Sequence, residues 1–207
     1  MRSSYEVVAD IVRSNPTLEF LSLVSYEENV NWRDLPRESH GLALPLLREG
    51  LKQGRGARII NTLPRRGILE GSLAEMAKNL GESRLLGLCS NVQLANGRSA
   101  HIPMMDFLCA PTKENLNLLA NLIGDLRQGR GYLLQSGRSY HYYGFRLLTE
   151  AEWKVFLGKC LLMSGFADDR YIGHQLVDGY CALRLSSGNL KKSVPMVVAE
   201  IPLARSV

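Results

Sequence analysis

The chain has 207 residues, 45% of them apolar and 22% charged, with a net charge of +5. This profile excludes a disordered chain and leaves length for one good core or two small modules sharing an interface. No apolar run approaches the roughly 20 residues a bilayer crossing needs, and the opening MRSSYEVVADIV is too polar and too acidic for a secretory signal, so a cytoplasmic protein without membrane contact is expected.

In chain order, residues 18–24 form a compact apolar run after the turn signal Asn15-Pro16 and read as a strand. Residues 41–53 carry Leu44, Leu47 and Leu51 at helical spacing and end at Gly54. Residues 58–63 then read as a strand. Ser72 as N-cap, Glu75 three residues on and Gly81 after Leu80 predict a capping-box helix with a glycine stop. Asn96-Gly97 between the runs 84–94 and 100–109 is a strong hairpin signal.

Thr112 opens a helix with Leu116, Leu119, Leu122, Ile123 and Leu126 on one face, stopping at Gly129. Residues 131–135 and 139–147 read as strands around a turn at Gly137. Thr149 with Glu152 predicts a second capping box, ahead of Trp153, Phe156, Leu157 and Cys160 on the apolar side. Residues 180–185 and 194–201 close the chain as strands. From Ala100 the order is therefore β-α-β-β-α-β. The expected fold is α/β of the α+β kind: an N-terminal α/β module over residues 1–83, packed on a ferredoxin- or RRM-like unit over residues 84–207. LKQGRGARII at 51–60 echoes LRQGRGYLLQ at 126–135, more readily as two similar helix-to-strand exits than as a duplication.

In a ferredoxin-like sheet the first and third strands lie together in the middle, with one face left for ligands. Residues two apart share a face, so Ser139, His141 and Tyr143 point one way, and Met104 joins Asp106. A carboxylate, an imidazole and a hydroxyl would then meet on an apolar sheet, where an unused polar cluster is unfavourable. The plainer alternatives are a strand-end carboxylate at Asp106 and a packing role for His141 and the tyrosines around it. A second feature is the basic segment holding Arg48, Lys52, Arg55, Arg58, Arg65 and Arg66 with Glu49 as its single acid. It reads as a solvated face or as a phosphate track for nucleic acid. Cys89, Cys109, Cys160 and Cys181 show no metal-knuckle spacing and are expected as buried thiols.

Ser139-Tyr140-His141 within SGRSYHYYG, Ala167-Asp168 within GFADDRYIGH ahead of YCALRLS, and IPMMDF resemble three ordered motifs of the archaeo-eukaryotic primase, or primase-polymerase, superfamily. The resemblance covers about residues 85–201. It implies nucleic acid (DNA or RNA) and nucleoside triphosphates as partners, and template-dependent nucleotidyl transfer. It also implies Mg²⁺ or Mn²⁺ held by Asp106 and Asp168, with Asp169 as a substitute, and phosphate contacts from Ser139 and His141. Arg170 and Arg184 are further phosphate candidates, suited by the guanidinium fork. The sequence departs from the pattern at Met104, where a paired aspartate would stand, and a thioether is a poor ligand for these ions. The alternative is therefore a non-catalytic nucleic-acid-binding or scaffold subunit of a replication, repair or defence assembly, with protein partners. A third reading is an unrelated ferredoxin-like ligand-binding domain.

Overall fold

A computed structural model describes residues 2–27, 58–163 and 165–202. The helix expected over residues 41–53, most of the first copy of the internal echo, and Arg48, Lys52 and Arg55 lie outside the described residues. Six helices and nine strands are described, in an α+β arrangement of two antiparallel sheets. No described helix is long and apolar enough to cross a membrane.

Helix α1 (Ser4–Ser14) is not among the expected elements, although its signal is present. Ser3 caps it, Glu6 answers at the box position, and Val7, Val8, Ile11 and Val12 form the buried stripe. Strands β1 (Leu18–Glu27) and β2 (Arg58–Pro64) pair antiparallel. Two short helices follow, α2 (Arg65–Leu69) and α3 (Ser72–Asn79). The capping box expected at Ser72 does not form. Gly71 is the N-cap at φ +88°, so Ser72 already lies inside the first turn and α3 has no side-chain cap. The stop after Leu80 does fall at Gly81, which also takes a left-handed φ of +75°.

Strand β3 (Arg84–Leu94) is the spine of the first sheet. It pairs with β1 on one edge. On the other edge it takes β4 (Ser99–His101) along one half and β8 (Ala182–Arg184) along the other. The Asn96-Gly97 hairpin forms as expected, with Gly97 at φ +78°. Its return strand does not run unbroken through residues 100–109. Pro103 lacks an amide proton, and the chain leaves the first sheet there, re-forming as β5 (Met104–Asp106) in the second. The Pro103 carbonyl accepts from the amide of Gly144 at 2.8 Å, which locks the crossing to the second sheet.

The second sheet is β5-β7-β6-β9, built from β6 (Gly131–Gln135), β7 (Tyr140–Gly144) and β9 (Met196–Ile201). Helices α4 (Lys113–Asp125), α5 (Glu150–Leu161) and α6 (Asp169–Asp178) complete the order. Thr112 and Thr149 are the caps expected, and α5 has its reciprocal box with Glu152. The β5–β7 neighbours and the β6–β7 hairpin match the ferredoxin-like expectation, but the closing strand does not. In that arrangement it would flank β5. Instead β9 pairs with β6, so β5 is an edge strand, and β8 belongs to the first sheet. The free side of the β5 segment is occupied by the α5–α6 connection, through a bridge between Phe107 and Ala167.

Gly131 and Gly144 face each other across the hairpin because the Tyr142 ring lies over both. A Cβ at Gly131 would come 2.5 Å from the ring and one at Gly144 2.9 Å from the hydroxyl. The ring continues to Phe156 on α5, at 6.3 Å between centroids. One continuous cluster of buried apolar residues joins α1, both sheets and α5. Cys160 and Cys181 are buried in it, Cys89 is buried outside it and Cys109 is half-buried, all four as thiols without a disulfide, close to the expectation. Burial pushes the Cys89 thiol up to about 12.

Candidate nucleotide-facing site

The β5–β7 register sets Asp106 opposite His141 and Met104 opposite Tyr143. Alternation along both strands then puts Met104, Asp106, His141 and Tyr143 on one face, away from Tyr142 and α5. The carboxylate and imidazole expected from the sequence therefore do meet, His141 Nε2 standing 3.7 Å from Asp106 Oδ1. At that distance they are an ion pair when the ring is protonated and not a hydrogen bond. His141 is nearly sealed, whereas Asp106 keeps 23% of its side chain exposed and is the open side of the pair.

Ser139 sits at the mouth of the hairpin that delivers His141. The Ser136 amide donates to the Ser139 carbonyl at 2.9 Å, and the two hydroxyls lie 3.4 Å apart. Gly137 takes φ +112°, a value side chains rarely adopt, which makes a tight return possible. Arg184 reaches this turn from β8. Its Nη2 donates to the Ser136 carbonyl at 2.6 Å and its Nη1 to the carbonyls of Ser193, at 2.7 Å, and Ser186. Arg184 thus braces the hairpin carrying Ser139 and His141, a positioning role the sequence reading did not anticipate.

The bridge between Phe107 and Ala167, and the bond from the Leu108 amide to the Phe166 carbonyl at 2.7 Å, bring Ala167-Asp168 beside the strand end that carries Asp106. Asp168 is the N-cap of α6, its Oδ1 accepting from the Tyr171 amide at 3.0 Å. Asp169 and Arg170 lie in the first turn of that helix, exposed. In the basic segment, Arg58 opens β2. Arg65 turns inward and caps the end of α1, donating to the carbonyls of Val12 and Asn15. Arg66 is exposed and pairs with Glu70 at 2.6 Å.

The motifs imply a pair of divalent ions. Two ions about 4 Å apart need bridging carboxylates. Position 104 supplies a thioether that is wholly buried against the strand of Tyr143. One Asp168 oxygen is engaged in capping, and no three His, Cys, Asp or Glu side chains among the described residues gather as a metal site. This donor set does not fit a two-metal centre.

Comparison with known proteins adds one finding. Neither the curated proteins nor the solved structures contain a match. A family model described as AEP-like, archaeo-eukaryotic primase 1D-like, matches residues 69–196, more than half of the chain, a span that includes Met104, Asp106, Ser139, His141, Asp168 and Arg184. The chain belongs to this archaeo-eukaryotic primase family.

Proposed function

We propose that this primase-family domain binds nucleotide and nucleic acid on the Asp106–Ser139–His141 face and does so as a non-catalytic module. The observation that carries the reading is Met104. It stands where the family resemblance would put a paired aspartate, it is fully buried, and its cross-strand partner is Tyr143. The site then keeps groups able to bond phosphate, a Ser139 hydroxyl and a His141 ring, with a single carboxylate at Asp106. His141 can answer phosphate charge when its ring is protonated, with Asp106 standing beside it as an ion-pair partner. Arg66, Arg170 and the residues of the basic segment, Arg48, Lys52, Arg55 and Arg58, would supply sequence-independent backbone contacts. In this reading the domain is a cytoplasmic subunit of a replication, repair or defence assembly.

The test is titration of the purified protein with ATP and with a single-stranded oligonucleotide, in EDTA and in Mn²⁺. Binding in EDTA that is lost in Asp106→Ala and His141→Ala supports the reading. Binding that requires Mn²⁺, together with primer extension, would replace it by active nucleotidyl transfer. That second reading draws on one observation, the Phe107–Ala167 bridge that brings Asp168 towards Asp106. Those two carboxylates would hold Mg²⁺ or Mn²⁺ in it.

A further inference from the structure

Tyr143 lies on the face that carries Met104, Asp106 and His141. Met104 is its partner on β5, and its ring stands 6.5 Å from that of His141, edge-on. The side chain is fully buried, and its hydroxyl has no hydrogen-bond partner among the described residues. Phenylalanine would fill the same volume without leaving a buried hydroxyl unsatisfied, so the oxygen is unfavourable in the ligand-free protein. Burial pushes the phenol pKa well up. Tyr26 adds to the rise, Arg184 opposes it and Asp106 adds again. The group therefore stays protonated and offers an O–H to an acceptor.

We infer that the Tyr143 hydroxyl is a ligand-binding group, donating to a phosphate oxygen of the nucleotide or nucleic acid held on this face. The inference rests on the binding reading above and extends it to a residue outside the Ser139-Tyr140-His141 motif. His141 and Tyr143 stand two positions apart on β7, so their donors lie along a single face. An extended phosphate chain presents acceptors in the same linear fashion. Met104 stands opposite Tyr143 on the neighbouring strand. Its unbranched thioether chain has three rotatable bonds, so it can swing aside at small strain when the ligand enters.

Tyr142 supplies the internal control. It too is buried with a hydroxyl that lacks a partner among the described residues, but it lies on the opposite face, over Gly131 and Gly144. The experiment compares the parent with Tyr143→Phe and Tyr142→Phe by melting without ligand and by titration with ATP and, separately, a single-stranded oligonucleotide. Tyr143→Phe is expected to melt at or above the parent and to bind one of the two ligands about three- to tenfold more weakly, the loss of one hydrogen bond. The arm that weakens identifies the phosphate as that of a nucleotide or of a nucleic-acid backbone. Tyr142→Phe is expected to bind as the parent does. Unchanged affinity in Tyr143→Phe, alongside a parent that binds, overturns this inference and leaves the binding reading standing. A variant that melts well below the parent overturns it as well, because the hydroxyl then has a partner before any ligand arrives. A parent that binds neither probe overturns both.

Discussion

Two buried histidines each face a carboxylate, and they are built differently. His101 on β4 has both ring nitrogens in hydrogen-bond range, Nδ1 at 3.2 Å from Ser90 Oγ and Nε2 at 2.8 Å from Glu150 Oε2, and it stacks on Trp153 at 4.5 Å. The ionised Glu150 carboxylate can only accept, so the neutral ring carries its proton on Nε2 and its Nδ1 accepts from the Ser90 hydroxyl, whose oxygen also accepts from the Cys181 amide at 2.8 Å. Through this chain His101 ties β3, β4, the approach to β8 and the start of α5 together. His141 meets Asp106 at 3.7 Å, beyond hydrogen-bond range. A histidine bonded on both nitrogens is a brace between elements, whereas His141 stands on the face proposed to bind ligand, beside a partly exposed carboxylate.

The largest effect that could break this contrast is at Met104. If position 104 belongs to the packed core, Met104→Asp buries a carboxylate opposite Tyr143. A loss of about 4 kcal/mol is expected, the range of an uncompensated buried charge. Mn²⁺ is expected to recover none of it. Chemical denaturation with and without Mn²⁺ reads this directly. Recovery of stability on adding Mn²⁺, abolished by Asp106→Ala, would mean that position 104 does open onto a metal site. The face of His141 would then be an incomplete polymerase centre.

The comparison sharpens when the histidines are removed one at a time. His101→Ala removes the Trp153 stacking partner and one hydrogen bond each from Ser90 and Glu150, which should lower stability by about 2–3 kcal/mol while ATP affinity holds. His141→Ala should lower stability by about 1 kcal/mol or less and weaken ATP binding about tenfold, the usual effect of losing a charge-assisted bond. Denaturation midpoints and titrations on the same two proteins decide it. Equal stability losses would erase the distinction between brace and site.

The two regions also differ in how far the sequence reveals them. The His141 face is visible from local signals. The Gly137 turn, the Thr149 capping box and the period of two in SYHYYG place the β6–β7 hairpin and α5 correctly. The pairing of Asp106 with His141 follows once β5 and β7 are neighbours. The His101 brace joins residues 90, 101, 150 and 181, a long-range coincidence that no local period encodes. The switch of sheets at Pro103 hid it further, since an unbroken strand over residues 100–109 would have put His101 and Asp106 in one sheet. The closing strand was misplaced for a related reason. Alternation and β-propensity identify β8 and β9 as strands but carry no information on which edge each will choose. Helix α1 was legible in Ser3 and Glu6 with Val7, Val8, Ile11 and Val12. Its α2 contact through Arg65 was not, because a basic residue in a basic stretch looks like surface.

The smallest predicted effect concerns acid. Burial lowers the His101 pKa, Glu150 opposes this through its hydrogen bond and charge, and Lys154 adds slightly to the lowering. Burial is the largest of these, so the folded value lies below the unfolded value of about 6.5. The folded protein then prefers the neutral ring. The stability this contributes is complete above the unfolded pKa and is lost as pH falls towards the folded one. Glu150→Gln removes both raising influences, so the folded pKa should drop further and the acid-sensitive window should extend lower. At pH 8 the variant should match the parent within about 0.5 kcal/mol, because the glutamine oxygen still accepts from Nε2 and residue 150 is 54% exposed. Between pH 6.5 and pH 5 the gap should widen, with the variant the less stable protein, while melting of His101→Ala should lose this pH dependence. An NMR titration of the His101 ring checks the sign. If the parent ring titrates above 6.5 when folded, the Glu150 charge outweighs burial. Acid would then strengthen the brace instead of loosening it, and Glu150→Gln would remove that gain.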